Sequence, residues 1–227
     1  MKEYHVKTYE DAVLVIEEIG ILPLAPLIPE FPSLNSMTLQ ENWHSDTEFD
    51  PWIWRTKFSV DGIAGYGKFI KKKSILVSRY LLPYVKKVLG HEGSMEERYF
   101  NGKVSKEALN LFRIIRQEEG IDTRELRTKA ELREKEKKKL FENALLELQG
   151  SMDIVISGIH EKKNIDGEKN GWSSTAFETY DSWASRNKIA IIDMDKEEAS
   201  TYLINHFQRI CTSDSMKKLE KIFNYKG

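Results

Sequence analysis

Cysteine is almost absent from this chain. Cys211 is the only one in 227 residues, which excludes an internal disulfide and any zinc site built from several cysteines. Its place in an apolar helical pattern predicts an inert core thiol rather than a nucleophile. Net charge is nearly absent too: 35 Lys and Arg face 36 Asp and Glu, for a balance of -1. The molecule as a whole therefore exerts no pull on DNA or on an anionic membrane, and any nucleic-acid contact has to rest on a local basic patch. No long apolar run occurs. The longest stretch, Ile19 to Phe31, is interrupted by Pro23, Pro26 and Pro29 and is too short to span a bilayer. The opening MKEYHVKTYED is polar, so no secretion signal and no membrane partner are expected, and the default setting is cytoplasmic. A glycine-rich phosphate loop is missing as well: Gly65-Tyr66-Gly67-Lys68 alone is too weak a signal, so no cofactor is expected. His44 and Asp46 are too few for a metal site.

What is present is ordinary for a globular protein. Hydrophobic residues make up 40% and charged residues 31%, enough for one large or two small domains with real cores. The informative stretch is Ser105 to Glu178. Its first helical pattern, SKEALNLFRIIRQEEG, repeats Leu109, Phe112 and Ile115 at helical spacing, with Ser105 as cap and Gly120 as stop. A short second helix is predicted over Asp122 to Ala130, anchored by Leu126. The third, Glu134 to Gln149, sets Leu140, Phe141, Ala144, Leu145 and Leu148 on one face and Lys135, Lys138, Lys139, Glu142 and Asn143 elsewhere. After Gly150 the pattern turns strand-like. Met152 to Ile159 and Trp172 to Thr179 read as two strands around HEKKNIDGEKNG, whose Asp166-Gly167 and Asn170-Gly171 pairs suit a turn. Three helices followed by a hairpin is the order of a winged helix, the third helix standing as recognition helix. The fold class expected is α+β.

The N-terminal part is more mixed. Tyr9 to Gly20 reads as an amphipathic helix capped by Thr8. In ILPLAPLIPEFPSL the prolines recur every third residue, which suits an extended polyproline-like segment packed through its leucines, or a ligand for a proline-binding module. Asn42 to Arg55, NWHSDTEFDPWIWR, gathers aromatics, carboxylates and an arginine. Such a set could form a pocket for a base or sugar, with tryptophan stacking and a carboxylate for acid/base work. The spacing of two between Trp52 and Trp54 equally fits a half-buried strand. On that basis Trp52 to Val60 and Ile63 to Ile70 are expected to pair around Asp61-Gly62. Lys71-Lys72-Lys73 then falls at a turn, where it could touch phosphates or simply be solvated, followed by a strand-like SILVS. A helix started or kinked by Pro83 and a capping box at Ser94 and Glu97 follow. Past the hairpin, Tyr180 to Arg186 reads as a connector and Ile189 to Met194 as a short apolar strand or helix entry. Asp195 caps a helix through Cys211, and a last helix covers Met216 to Phe223. A soft boundary falls near Gly102, so the expected units are an α+β region over 1–102, a winged helix over 103–183 and C-terminal helices over 184–227.

DPWIWR at Asp50 to Arg55, YGKFIKKK at Tyr66 to Lys73, ALLELQGSMDIVISG at Ala144 to Gly158 and GWSSTAFET at Gly171 to Thr179 give the chain its resemblance. It resembles the bacterial proteins described as AlkZ-related, relatives of the winged-helix DNA glycosylases that excise alkylated or crosslinked bases. In those glycosylases a Gln pair, or a Gln and an Asp separated by one residue, acts at the target base. Here Gln40, Gln117, Gln149 and Gln208 all lack a Gln or Asp two positions on. The resemblance therefore implies the fold more strongly than the activity.

Three functions follow as expectations. The first is a DNA-binding winged-helix protein associated with repair. Its third helix would place Lys135, Lys138, Lys139 and Asn143 in or over the major groove, and its wing would place Lys162, Lys163 and Lys169 on phosphates. The second is a glycosylase-like enzyme acting on alkylated bases, with Trp52 and Trp54 stacking a flipped base, Asp50 serving an attacking water, and Arg55 or Lys68 holding phosphate. The third is a protein-interaction module without nucleic-acid binding, consistent with the mixed charges of the third helix. Oligomeric state is open.

Overall fold

The computed structural model describes residues 2–161 and 173–224. The chain is α+β, with eleven α-helices and two small antiparallel sheets among the described residues. It starts with α1 (Tyr9–Ile19), whose N-cap Thr8 and Asp11 form a reciprocal capping box. Gly20 ends this helix at φ 81°, and a Cβ there would sit 2.2 Å from Leu81 Cδ1, so glycine is required for both reasons. The proline-spaced segment follows as expected for core packing. Its first residues form the edge strand β1 (Ile21–Pro23), and Leu24, Ile28 and Phe31 are buried. A short helix α2 (Leu34–Met37) and a single 3₁₀ turn (Gln40–Asn42) lead to α3 (Pro51–Val60).

Here the strand expected over Trp52 to Val60 is overturned, because the segment is helical. The Asp50 carboxylate accepts the Trp52 N–H, and Pro51 occupies the first turn, where its missing N–H costs nothing. Trp54 and Phe58, four apart, are the buried positions, while Trp52 faces outward. Asp61-Gly62 closes the helix and is not a hairpin turn. The hairpin lies one strand later: β2 (Ala64–Ile70) pairs with β3 (Lys73–Ser78), and the sheet order is β1-β3-β2. Lys71 and Lys72 make the turn, in agreement with a turn at the lysine triplet.

Next come α4 (Leu82–Leu89), started by Pro83, and α5 (Met95–Phe100), with the expected Ser94/Glu97 capping box. The second half holds α6 (Lys106–Gln117), a two-residue strand β4 (Ile121–Asp122), α7 (Thr123–Lys129), α8 (Lys138–Gly150), β5 (Ile154–His160) and β6 (Ser174–Thr179). β5 pairs antiparallel with β6, and β4 joins the other edge of β6. The third helix is shorter than its periodicity suggested. It begins at Lys138, because residues up to Lys137 form turns held by bonds such as Lys137 N–H to the Glu134 carbonyl. Lys135 therefore precedes the helix, and Leu140, expected inside, is 42% exposed.

Three further expectations are corrected. Tyr180 to Arg186 is a helix, α9, capped by Thr179 and anchored by the buried Trp183. Residues 189–194 adopt no regular structure, and Ile191 lies open to solvent. The helix capped by Asp195, α10 (Lys196–Gln208), stops before Cys211, and α11 (Ser213–Phe223) is capped by Thr212.

One apolar cluster runs from Val6 to Phe223 and takes side chains from both sheets and most helices. Polar side chains stitch its two halves together. The Gln149 Oε1 accepts the Lys68 N–H at 3.0 Å, and the Trp183 Nε1–H donates to the Ser59 carbonyl at 3.0 Å. Arg98 makes a two-pronged ion pair with Asp153, at 3.0 and 2.9 Å. The Lys86 ammonium donates to the Ser151 and Met152 carbonyls and lies 3.4 Å from the Asp153 carboxylate.

Candidate nucleic-acid interface

α8 presents an apolar face inward, through Phe141, Ala144, Leu145 and Leu148, and a polar face outward. Its N-terminus, like that of α4, has neither a side-chain cap nor an acidic residue in the first turn. Ser105, Asp122 and Asp195 cap α6, α7 and α10 through side-chain bonds, whereas α8 starts at Lys137 with no side-chain cap and no acidic residue in its first turn. The Lys137 and Lys138 amides donate to the Glu134 and Lys135 carbonyls, and the Lys137 ammonium pairs with Glu134 at 3.1 Å, but the positive end of the helix still coincides with Lys138 and Lys139, an arrangement that favours an anion. Lys135, Lys138, Lys139 and Asn143 are all exposed. Lys138 sits 3.8 Å from Glu142, an open i,i+4 pair of small energetic weight. Lys135 and Lys139 have no ion pair among the described residues.

α7 and the β5–β6 hairpin are tied to one another beside this helix. The Thr123 hydroxyl donates to the Thr175 carbonyl, and Arg124 donates to the His160 carbonyl at 3.3 Å. Asp122 accepts the Arg124 and Glu125 N–H groups, and those bonds hold its carboxyl below the usual range. Lys162, Lys163 and Lys169, expected at the hairpin tip, lie outside the described residues.

The second candidate cluster divides in two. Trp52, 42% exposed, lies against the Arg55 guanidinium, whose carbon is 3.5 Å from the ring centroid, while His44 meets the same ring at 4.8 Å. Arg55 Nε is buried with no hydrogen-bond partner among the described residues. Burial pulls the Arg55 pKa below its ordinary value, against the opposing effects of Tyr66 and Asp50. Tyr66, not singled out from the sequence, is buried on β2 and acts electrostatically on this arginine. Only its place in the YGKFIKKK motif pointed to it. Lys68 is exposed on the same strand. The cation–aromatic stack is thus an open platform with an unanswered guanidinium donor.

Trp54 and Asp50 are elsewhere in character. Trp54 is buried and its Nε1–H donates to the Glu48 carbonyl at 2.7 Å. Asp50 is 1% exposed, and its two oxygens accept the N–H groups of His44, Asp46 and Trp52. That pattern folds the loop before α3 and starts the helix. On the other side of α3, two hollows of about 540 and 500 Å³ share Ile53 and Lys57, one facing Tyr9 and Phe49 and the other Gly158 and Ile159.

Among the described residues no cluster of three His, Cys, Asp or Glu could hold a metal, and no helix is long and apolar enough to cross a membrane. The molecule so described is an α+β protein that carries an uncapped basic helix and an aromatic–arginine platform. Comparison with protein families places it further. The model of the AlkZ-related family matches residues 6–224, and the chain belongs to that family. No curated protein and no solved structure matches the chain.

Proposed function

We propose that this protein is a DNA-binding protein associated with DNA repair. In this reading residues 103–183 form a winged helix between an N-terminal region, 1–102, and C-terminal helices, 184–227. The order α6, β4, α7, α8, β5, β6 with sheet order β4-β6-β5 supports the winged helix. α8 is then the recognition helix and β5–β6 the wing. The observation that carries the reading is the start of α8, where exposed Lys138 and Lys139 and the positive end of the helix meet without any acidic residue in the first turn. Lys138, Lys139 and Asn143 lie over the groove, and Lys135 meets phosphate ahead of the helix. Membership of the AlkZ-related family supports the repair theme. Replacing Lys138 and Lys139 with Glu abolishes a low-salt mobility shift if the reading is right. An unchanged shift removes this face from consideration.

A second reading, excision of alkylated bases, draws on the Trp52–Arg55 platform. Trp52 offers a stacking surface for an extruded base, and Arg55 on α3, with the exposed Lys68 on β2, offers charge for a phosphate. Asp50 fits the role of a water-activating carboxylate poorly, since three backbone amides already bind its oxygens. Base binding is thus better supported than base cleavage. Release of alkylated purine by the purified protein, lost in Asp50→Asn, is the result that would promote cleavage to first place.

A further inference from the structure

The stretch that joins α9 to α10 has the sequence of a strand and no strand to pair with. Residues 189–194, IAIIDM, carry three isoleucines and neither proline nor glycine, a composition that suits a pleated ladder. In the folded chain they run from the turn at Asn187 and Lys188 to the Asp195 cap of α10 without helix, strand, turn or bend. At one end the Ile189 N–H donates to the Ala184 carbonyl, and at the other the Asp195 N–H donates to the Glu198 carboxylate. Between those anchors Ala190, Ile191, Ile192, Asp193 and Met194 make no backbone–backbone hydrogen bond among the described residues. Ile189, Ile192 and Met194 are half-buried, whereas Ala190 and Ile191 are exposed, Ile191 to 99%.

A row of unpaired N–H and C=O groups beside an apolar side chain in solvent is a template for another strand. A strand-forming sequence held in irregular backbone is also a local conflict that a partner strand resolves. Charge selects the partner. The segment is basic where it starts, at Lys188, and acidic where it ends, at Asp193 and Asp195. The ion pairs on either side in sequence are Arg186–Glu178 and Lys217–Asp214, and neither Lys188 nor Asp193 has one among the described residues. Two copies laid antiparallel set the basic end of each against the acidic end of the other, whereas parallel copies in register would set like against like. A two-fold axis also puts one residue opposite its own copy. With Ile191 in that place, Lys188 falls opposite Met194 of the second copy, between Asp193 and Asp195 of that copy. We infer that residues 188–194 pair antiparallel with the same segment of a second copy of this chain, as the contact of a symmetric homodimer. The inference is independent of the DNA-binding reading. So short a ladder is smaller than a standard interface, and the dimer is accordingly weak and reversible.

The test is sedimentation equilibrium of the full chain without DNA, over a concentration series. Wild type is expected to pass from monomer to dimer as concentration rises and to form nothing larger, because a two-fold contact closes on itself. Ile191→Lys sets two ammoniums against each other at the axis and is expected to leave the monomer. Lys188→Asp and Asp193→Lys each turn both attractions between 188 and 193 into repulsions and are expected to weaken the dimer about tenfold. Mixed in equal amounts, these two variants are expected to form a heterodimer about as tight as the wild-type dimer, since every contact between 188 and 193 is again one of opposite charges. All three positions are exposed, so melting temperatures equal to wild type are expected, which separates lost pairing from lost folding. A wild type that stays monomeric at every concentration overturns the inference. So does a dimer that none of the three variants weakens, or an assembly that grows beyond two copies. A mixture no tighter than its components overturns the antiparallel pairing.

Discussion

Asp153 is the residue whose loss should be felt most widely. It lies at the junction of α8 and β5, 8% exposed, and answers two cations: Arg98, 4% exposed, through two bonds, and Lys86 at 3.4 Å. The Ser151 hydroxyl donates to the same carboxylate. Among the described residues, Asp153→Asn removes the only negative charge in direct contact with either cation while keeping the shape. Two buried or half-buried cations then face each other across a neutral amide. Removing one partner of a buried ion pair costs about 3–5 kcal/mol, because the other charge is left without compensation. In a chain of this size that corresponds to a fall in melting temperature of roughly 6–20 °C. The sign of the pH dependence is also fixed. Burial already holds the Lys86 pKa below its ordinary value and Asp153 opposes that shift, so in Asp153→Asn the folded state holds the Lys86 proton still less firmly. The unfolded state then binds more protons, and the variant recovers stability as pH rises into the alkaline range, where Lys86 deprotonates. The apolar double replacement Arg98→Met/Asp153→Leu should be less damaging than Asp153→Asn alone, since it removes the orphaned guanidinium as well. Urea unfolding of the three proteins checks this. A midpoint for Asp153→Asn within experimental error of wild type refutes the reasoning.

The two tryptophans of α3 should separate function from folding. Trp54→Ala empties a fully buried site and costs about 3–5 kcal/mol in thermal or urea unfolding. Trp52→Ala leaves stability nearly unchanged but weakens binding of single-stranded or lesion-bearing DNA by about 1–3 kcal/mol, read by anisotropy, if the platform stacks a base. Asp50→Asn should lower stability by about 1–3 kcal/mol without touching duplex affinity, because the amide nitrogen that replaces Oδ2 cannot accept the Asp46 N–H. A loss of affinity with unchanged stability would show that the carboxylate meets the ligand. His91 and His206 both have pKa values pushed below the ordinary histidine value, in each case chiefly by burial. Their contribution to stability is present above about pH 6.5 and is lost as pH falls, because the unfolded chain takes up protons first. His206→Gln should flatten the acid side of the stability profile, and an unaltered profile would locate the dependence elsewhere.

What could be seen in the sequence was local. Ser105, Asp122, Thr8, Ser94 and Asp195 were legible as caps because capping depends on a residue and its neighbours three positions on. The strand-like runs of β5 and β6 and the inward face of α8 were legible for the same reason. α3 was misread because Trp52 and Trp54 share the period of a strand, although Asp50-Pro51 carried the helix-start signal. The start of α8 was overextended because the run of Arg, Glu and Lys from 133 to 139 has no apolar positions to mark where helical packing begins. The contacts that join the two halves were invisible. Arg98 and Asp153 lie 55 positions apart, and Lys68 and Gln149 lie 81 apart. Nothing in either local pattern announces the partner. The same holds for Trp183 and the Ser59 carbonyl it binds, 124 positions apart.

The measurement closest to the central claim is anisotropy of the full chain with a labelled duplex, plain and alkylated, titrated across salt at fixed pH. Binding that weakens steeply and linearly on a log–log scale, with the slope reduced in Lys138→Glu/Lys139→Glu, is the predicted result. Binding absent at low salt, or present with no salt dependence, would contradict it and leave α8 as a packing or protein-contact element.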